Sequence, residues 1–130
     1  SPVLVWSHRE NVDRMRINGV EFHVADADRA FARLTYFANP QYQIHFYPGE
    51  EGCVRVVIEI EDTHLADASA HPAFLPKLLL EEIMGTWIIA SGVPFRTAVT
   101  RGLFEKPEVQ FVPHLSASGA KTKRFINHLS

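Results

Sequence analysis

Seven histidines are spread along the 130 residues, at positions 8, 23, 45, 64, 71, 114 and 128, and histidine is the side chain whose unperturbed proton equilibrium lies nearest neutral pH. None of them forms the i, i+4 pair that puts two metal ligands on one helix face. A P-loop, a dinucleotide-binding glycine pattern, paired cysteines and a Gly-x-Ser-x-Gly nucleophile elbow are all missing from the sequence. Chemistry in this chain must therefore come from residues that folding brings together. No cofactor and no metal is expected.

One such gathering follows from strand alternation. If the β-prone segments keep a period of two, then Glu21, His23, Gln43, His45, Tyr47, Arg55, Glu59, Arg96 and Thr100 share the face of a sheet that its helices leave free. A carboxylate beside an imidazole orients the ring and raises its proton affinity, as a general base or a metal ligand needs. The simpler expectation is a solvated polar face or an interface with a partner. Glu21, His23, His45, Tyr47, Arg55 and Glu59 are the candidates for that interface or for a ligand.

A second set is basic. Residues 1–82 hold 7 Lys/Arg against 13 Asp/Glu, whereas residues 83–130 hold 6 against 2, within a net charge of −2. Arg96, Arg101, Lys106, Lys121, Lys123 and Arg124 carry the basic end and are candidates for phosphate contacts with RNA that read no bases. Base stacking on the sheet is disfavoured, because Arg55, Val57, Glu59 and Glu61 occupy the places where an RNA-binding sheet presents aromatic rings.

The elements that must position these residues are well marked. Asn18-Gly19 between MRI and VEFH predicts a two-residue hairpin turn, pairing Ile17 with Val20, Met15 with Phe22, Arg16 with Glu21 and Arg14 with His23. A helix capped by Asp26 or Asp28 should follow, its stripe running through Ala27, Ala30, Phe31, Leu34, Phe37 and Ala38 to a stop at Asn39-Pro40. Tyr42–Tyr47 and Val54–Glu61 alternate as a second hairpin about Pro48–Gly52. His71–Pro94 contains the most apolar helix-length run, with Pro76 suited to its first turn and Gly92 and Pro94 to its end. Phe95–Thr100 alternates as a strand, and Val109–Val112, bounded by Pro107 and Pro113, suits a sheet edge.

With 46% hydrophobic and 22% charged residues, the chain can bury a core of its own. The expected fold is α+β: a largely antiparallel sheet of five or six strands, helices mainly on one face, built from successive hairpin-helix units. Residues 1–115 form a single globular domain in this reading and 116–130 a flexible basic C-terminal segment, with a short helix or tail over Lys121–Leu129. One cysteine, Cys53, and the absence of an unbroken apolar span or an apolar leader suggest a soluble protein of the cytoplasm, away from membranes.

The segment PKLLLEEIM, through Pro76, Leu79, Glu82 and Met84, resembles the central helix of hot-dog-fold thioester dehydratases. The resemblance implies His71 and Glu82 as an acid/base pair beside a thioester tunnel. It departs from that family in a shorter His-to-Pro spacing, in lacking a glycine before the helix and in the limited chain left after Ser91 to complete a wrapping sheet. The favoured expectation is thus a non-catalytic binding or assembly protein, self-associating or docking on another protein through the polar sheet face or a strand edge. Accessory RNA binding ranks second and the thioester enzyme third.

Overall fold

In a computed structural model the chain has mixed α and β structure; residues 14–37, 40–62, 71–115 and 123–129 are described. Val3–Trp6, Ser7–Asp13, Thr63–Ala70 and Lys121 lie outside or largely outside these segments. Strands β1 (Arg14–Ile17) and β2 (Val20–His23) form a two-stranded antiparallel sheet. Its register is the one the Asn-Gly turn predicts, Arg14 to His23 through Ile17 to Val20. Both turn residues take positive φ, 51° at Asn18 and 80° at Gly19, the conformation that makes this dipeptide suit a type I′ turn.

Helix α1 (Val24–Ala32) begins directly after β2. Extended His23 is its cap residue, and no side chain caps the helix, contrary to the role expected of Asp26 or Asp28. Asp26 sits in the first turn, where a carboxylate is favoured by the helix dipole, and pairs with Arg29 at 3.0 Å. Asp28 instead accepts a 2.6 Å hydrogen bond from the Tyr42 hydroxyl. The helix also ends earlier than Asn39-Pro40: Arg33 N–H closes back on Ala30 O at 3.2 Å, and the Thr35 hydroxyl donates to Glu82 on another helix. Leu34 stays buried beyond the helix end.

Strands β3 (Tyr42–Pro48) and β4 (Val54–Glu61) form the expected second hairpin. Gly49 is confined at its turn, since a Cβ there would approach Cys53 O to 2.7 Å as well as the Glu105 carboxylate. Helix α2 (Leu75–Thr86) has Pro76 in its first turn and buries Leu75, Leu79, Leu80, Ile83 and Met84. It stops at Thr86 rather than at Gly92. Trp87 turns to extended backbone, and Gly92, with φ 89°, serves a tight turn in which Ile89 N–H donates to Val93 O at 2.9 Å. The glycine and proline that read as helix stops belong to that turn.

Phe95–Thr100 is helix α3, not a strand. Six residues are short enough for period-two alternation and the i, i+3 spacing of Phe95 and Ala98 to coexist; burial of those two in the core decides for the helix. Strand β5 (Glu108–Val112) then pairs parallel with β4, and β6 (Phe125–Asn127) pairs parallel with β3. The main sheet is therefore four-stranded and mixed, in the order β5-β4-β3-β6, with β5 at one edge as its flanking prolines suggest. It is smaller and less antiparallel than expected, because β1 and β2 stay a separate sheet. Where a basic helix or tail was expected, Phe125 is buried and its strand completes the second edge.

The core lies between one face of this sheet and the layer made by α1, α2, α3 and the β1–β2 hairpin. Phe22 is its hub. Its ring centroid lies 5.3 Å from Phe46, 5.1 Å from Trp87, 5.5 Å from Phe104 and 5.9 Å from Phe95, separations at which aromatic pairs attract beyond their burial of area. Among the described residues no helix is long and apolar enough to cross a membrane.

Candidate functional site

The opposite face of the main sheet gathers four of the six interface candidates. Register sets Tyr47 against Arg55, His45 against Val57 and Gln43 against Glu59. His45 is only 7% exposed and uses both ring nitrogens: Nε2 lies 3.0 Å from Glu59 Oε1, and Nδ1 lies 2.9 Å from His128 Nε2. A carboxylate only accepts, so in the tautomer of His45 that donates from Nε2 to Glu59, Nδ1 is the acceptor for His128 Nε2–H. The result is a directed chain from an exposed imidazole to a carboxylate.

Around that chain the rings are stacked. Tyr47 and His128 lie 4.2 Å apart at 4° and the Arg55 guanidinium carbon is 5.8 Å from the Tyr47 ring centre. Arg55 also pairs with Glu108 of β5 at 3.1 Å. The cluster thus draws on β3, β4 and β5 and on His128, the residue just beyond β6. His128 and Glu108 were not among the expected interface residues. The Phe125, Asn127 against Ile126, His128 alternation is the signal that would have found the first, hidden by the basic residues before it.

Glu21 and His23 do not join this face. They belong to the separate β1–β2 sheet and bond to each other, His23 Nε2 to Glu21 Oε2 at 2.6 Å. That hydrogen bond, helped by Arg14 and Arg16 and opposed by partial desolvation, holds the Glu21 carboxyl below its ordinary value of 4.5. Arg96 and Thr100, expected on the polar sheet face, are carried by α3 instead.

The basic candidates are dispersed. Arg96 is 3.7 Å from the Glu81 carboxylate, Lys106 is exposed before β5, and Lys123 is exposed before β6 at the other edge of the sheet. Arg101 follows α3. Arg124 clamps the sheet: its guanidinium lies 4.5 Å from the Tyr42 ring centre and donates to Gln41 Oε1 at 3.1 Å and Tyr42 O at 3.2 Å. Burial, and then the bond to Asp28, push the Tyr42 hydroxyl well above its ordinary value.

The two residues paired by the dehydratase resemblance have other partners. His71 bonds Asp62 and is surrounded by Tyr36, Phe37 and Phe111, whereas Glu82 accepts from Thr35 at 2.9 Å. Among the described residues no three His, Cys, Asp or Glu side chains are grouped to hold a metal ion.

No family model matches the chain, and no curated protein matches it. Among solved structures, the chain is similar to a domain of phenylacetate-coenzyme A ligase from Bacteroides vulgatus ATCC 8482, at 16% identity and a TM-score of 0.51, over 91% of this chain and 95% of that one. The likeness is one of fold.

Proposed function

We propose that this chain is a non-catalytic binding and assembly module that docks through its polar sheet face onto a larger protein, as an accessory domain of an enzyme joining a carboxylic acid to coenzyme A. The observation that carries the docking role is the cluster of Tyr47, Arg55, Glu108 and His128 around buried His45 and half-buried Glu59. Aromatic and arginine side chains on a rigid sheet are the groups that dominate protein interfaces. The coenzyme A context is supported by the near-complete overlap with one domain of such a ligase; it is an analogy of fold, to which function is not bound. The RNA reading has no comparable support, with its basic residues on opposite sheet edges and Arg124 engaged by Tyr42 and Gln41.

Light scattering of the untagged chain tests the proposal, alone and mixed with a phenylacetate-coenzyme A ligase from which the corresponding domain has been removed. The expected result is a complex with the truncated ligase, lost in the Tyr47→Ala, Arg55→Glu double variant. A chain that ignores the truncated ligase and stays monomeric sinks the docking role; thioester formation by the chain alone sinks its non-catalytic character. Association only with itself keeps the docking face and removes the coenzyme A context.

A further inference from the structure

A cleft of about 430 Å³ opens on the other side of the molecule, between the β1–β2 hairpin, the turn after Trp87 and α3. Its walls are chemically divided. Ile89, Ala98 and Leu103 supply apolar surface, while Arg16, Arg101 and the Thr97 hydroxyl supply donors. Arg16 comes from the hairpin and Arg101 from the end of α3, so two separate elements direct cations at one cavity. The hairpin and the turn are tied by Ala90 N–H donating to Glu21 O at 3.1 Å, which holds the walls together.

Charge balance in the cleft favours an anion. Two arginines face one carboxylate there: Glu21 lines the cleft too, bonded to His23 at 2.6 Å and attracted by Arg16. Among the described residues neither the Arg16 nor the Arg101 guanidinium closes an ion pair or donates a hydrogen bond. A guanidinium offers a planar fork of donors matched to phosphate or carboxylate oxygens. Cavities of this size with an apolar wall and a few directed polar groups have the general make-up of small-molecule sites.

We propose that this cleft binds a small oxyanion, phosphate or carboxylate, carried on a compact apolar body. The oxyanion lies between Arg16 and Arg101, with Thr97 donating to it, and the apolar body rests on Ile89, Ala98 and Leu103. The site is independent of the docking face, because it is built from the layer that covers the sheet's core side.

Amide chemical shifts of the full 130-residue chain, titrated with phenyl phosphate, benzoate, inorganic phosphate and benzyl alcohol, test this. Phenyl phosphate or benzoate should give saturable shifts at Gly19, Ser91 and Thr97. Saturation by one alone assigns the oxyanion as phosphate or as carboxylate. Inorganic phosphate and benzyl alcohol should each bind at least about tenfold more weakly, the scale of one lost charge-assisted contact. Arg16→Gln and Arg101→Gln should each weaken binding by about tenfold, and Glu21→Gln should tighten it by removing a repelling charge. Both arginines are exposed, and unchanged shifts in β3 and β4 verify that the variants fold. Three results overturn the proposal: no saturable shift with either aryl anion, unchanged affinity in the double arginine variant, or equal binding of benzyl alcohol or inorganic phosphate.

Discussion

The two faces of the β3–β4 hairpin come from the same residues taken alternately, yet they are held by different physics. On one face Ile44, Phe46, Val56, Ile58 and Ile60 are fully buried against Phe22 and the helices; on the other, His45, Tyr47, Arg55 and Glu59 are fixed by directed hydrogen bonds and ring stacking. The first resists change through close packing, where each lost methylene leaves a void. The second buries Gln43 and His45 at its centre and leaves Arg55, Glu108 and His128 exposed around them. Apolar packing and directed polar contacts are thus divided between the two faces of one sheet.

The comparison breaks first at its hub. Phe22→Ala should destabilise the fold by about 3–5 kcal/mol, measured by urea denaturation; a loss near zero would mean that the aromatic cluster is not the core. Tyr42→Phe should cost about 1 kcal/mol at neutral pH, because Asp28 is left in water rather than buried. The same substitution sharpens the contrast through pH. Since the folded hydroxyl titrates above its unfolded value, its contribution is complete below about pH 10 and lost as the pH rises beyond it. Thermal midpoints between pH 9 and 11 should fall for the parent and less for the Phe variant.

Smaller effects belong to the polar residues. Glu21 has the opposite sign: with its folded value lowered, its contribution is present above 4.5 and lost as the pH falls below that. Glu21→Gln should flatten this acid dependence in melting curves taken from pH 6 to 3; an unchanged profile would disconnect the His23 contact from stability. Arg55→Ala should alter stability by no more than about 0.5 kcal/mol, since both it and Glu108 are exposed. A large loss in denaturation would show that this face, too, is part of the structural core.

The hairpins were legible because turn chemistry and alternation agree at each: Asn18-Gly19 demanded one register, and every pair in it is found. The face holding His45, Tyr47, Arg55 and Glu59 followed from the same alternation. Periodicity failed where the segment was too short to separate the templates, at Phe95–Thr100, or where a stop signal had two uses, at Gly92 and Pro94. Local pattern could not reveal that β1–β2 would stand apart, nor that His128 would reach His45, because both depend on contacts between distant segments.

That distance also governs how the sheet is assembled in time. Each hairpin joins neighbours through a short loop, but the contact between β6's end and β3 spans 83 residues, and the one between β5 and β4 spans 53. Closing such loops costs chain entropy before any contact repays it, so non-local parallel pairings form slowly. The two hairpins should gain amide protection early in refolding, with both sheet edges closing late. The stacked Tyr47–His128 pair, which depends on the last strand, would then be completed only after the core has formed.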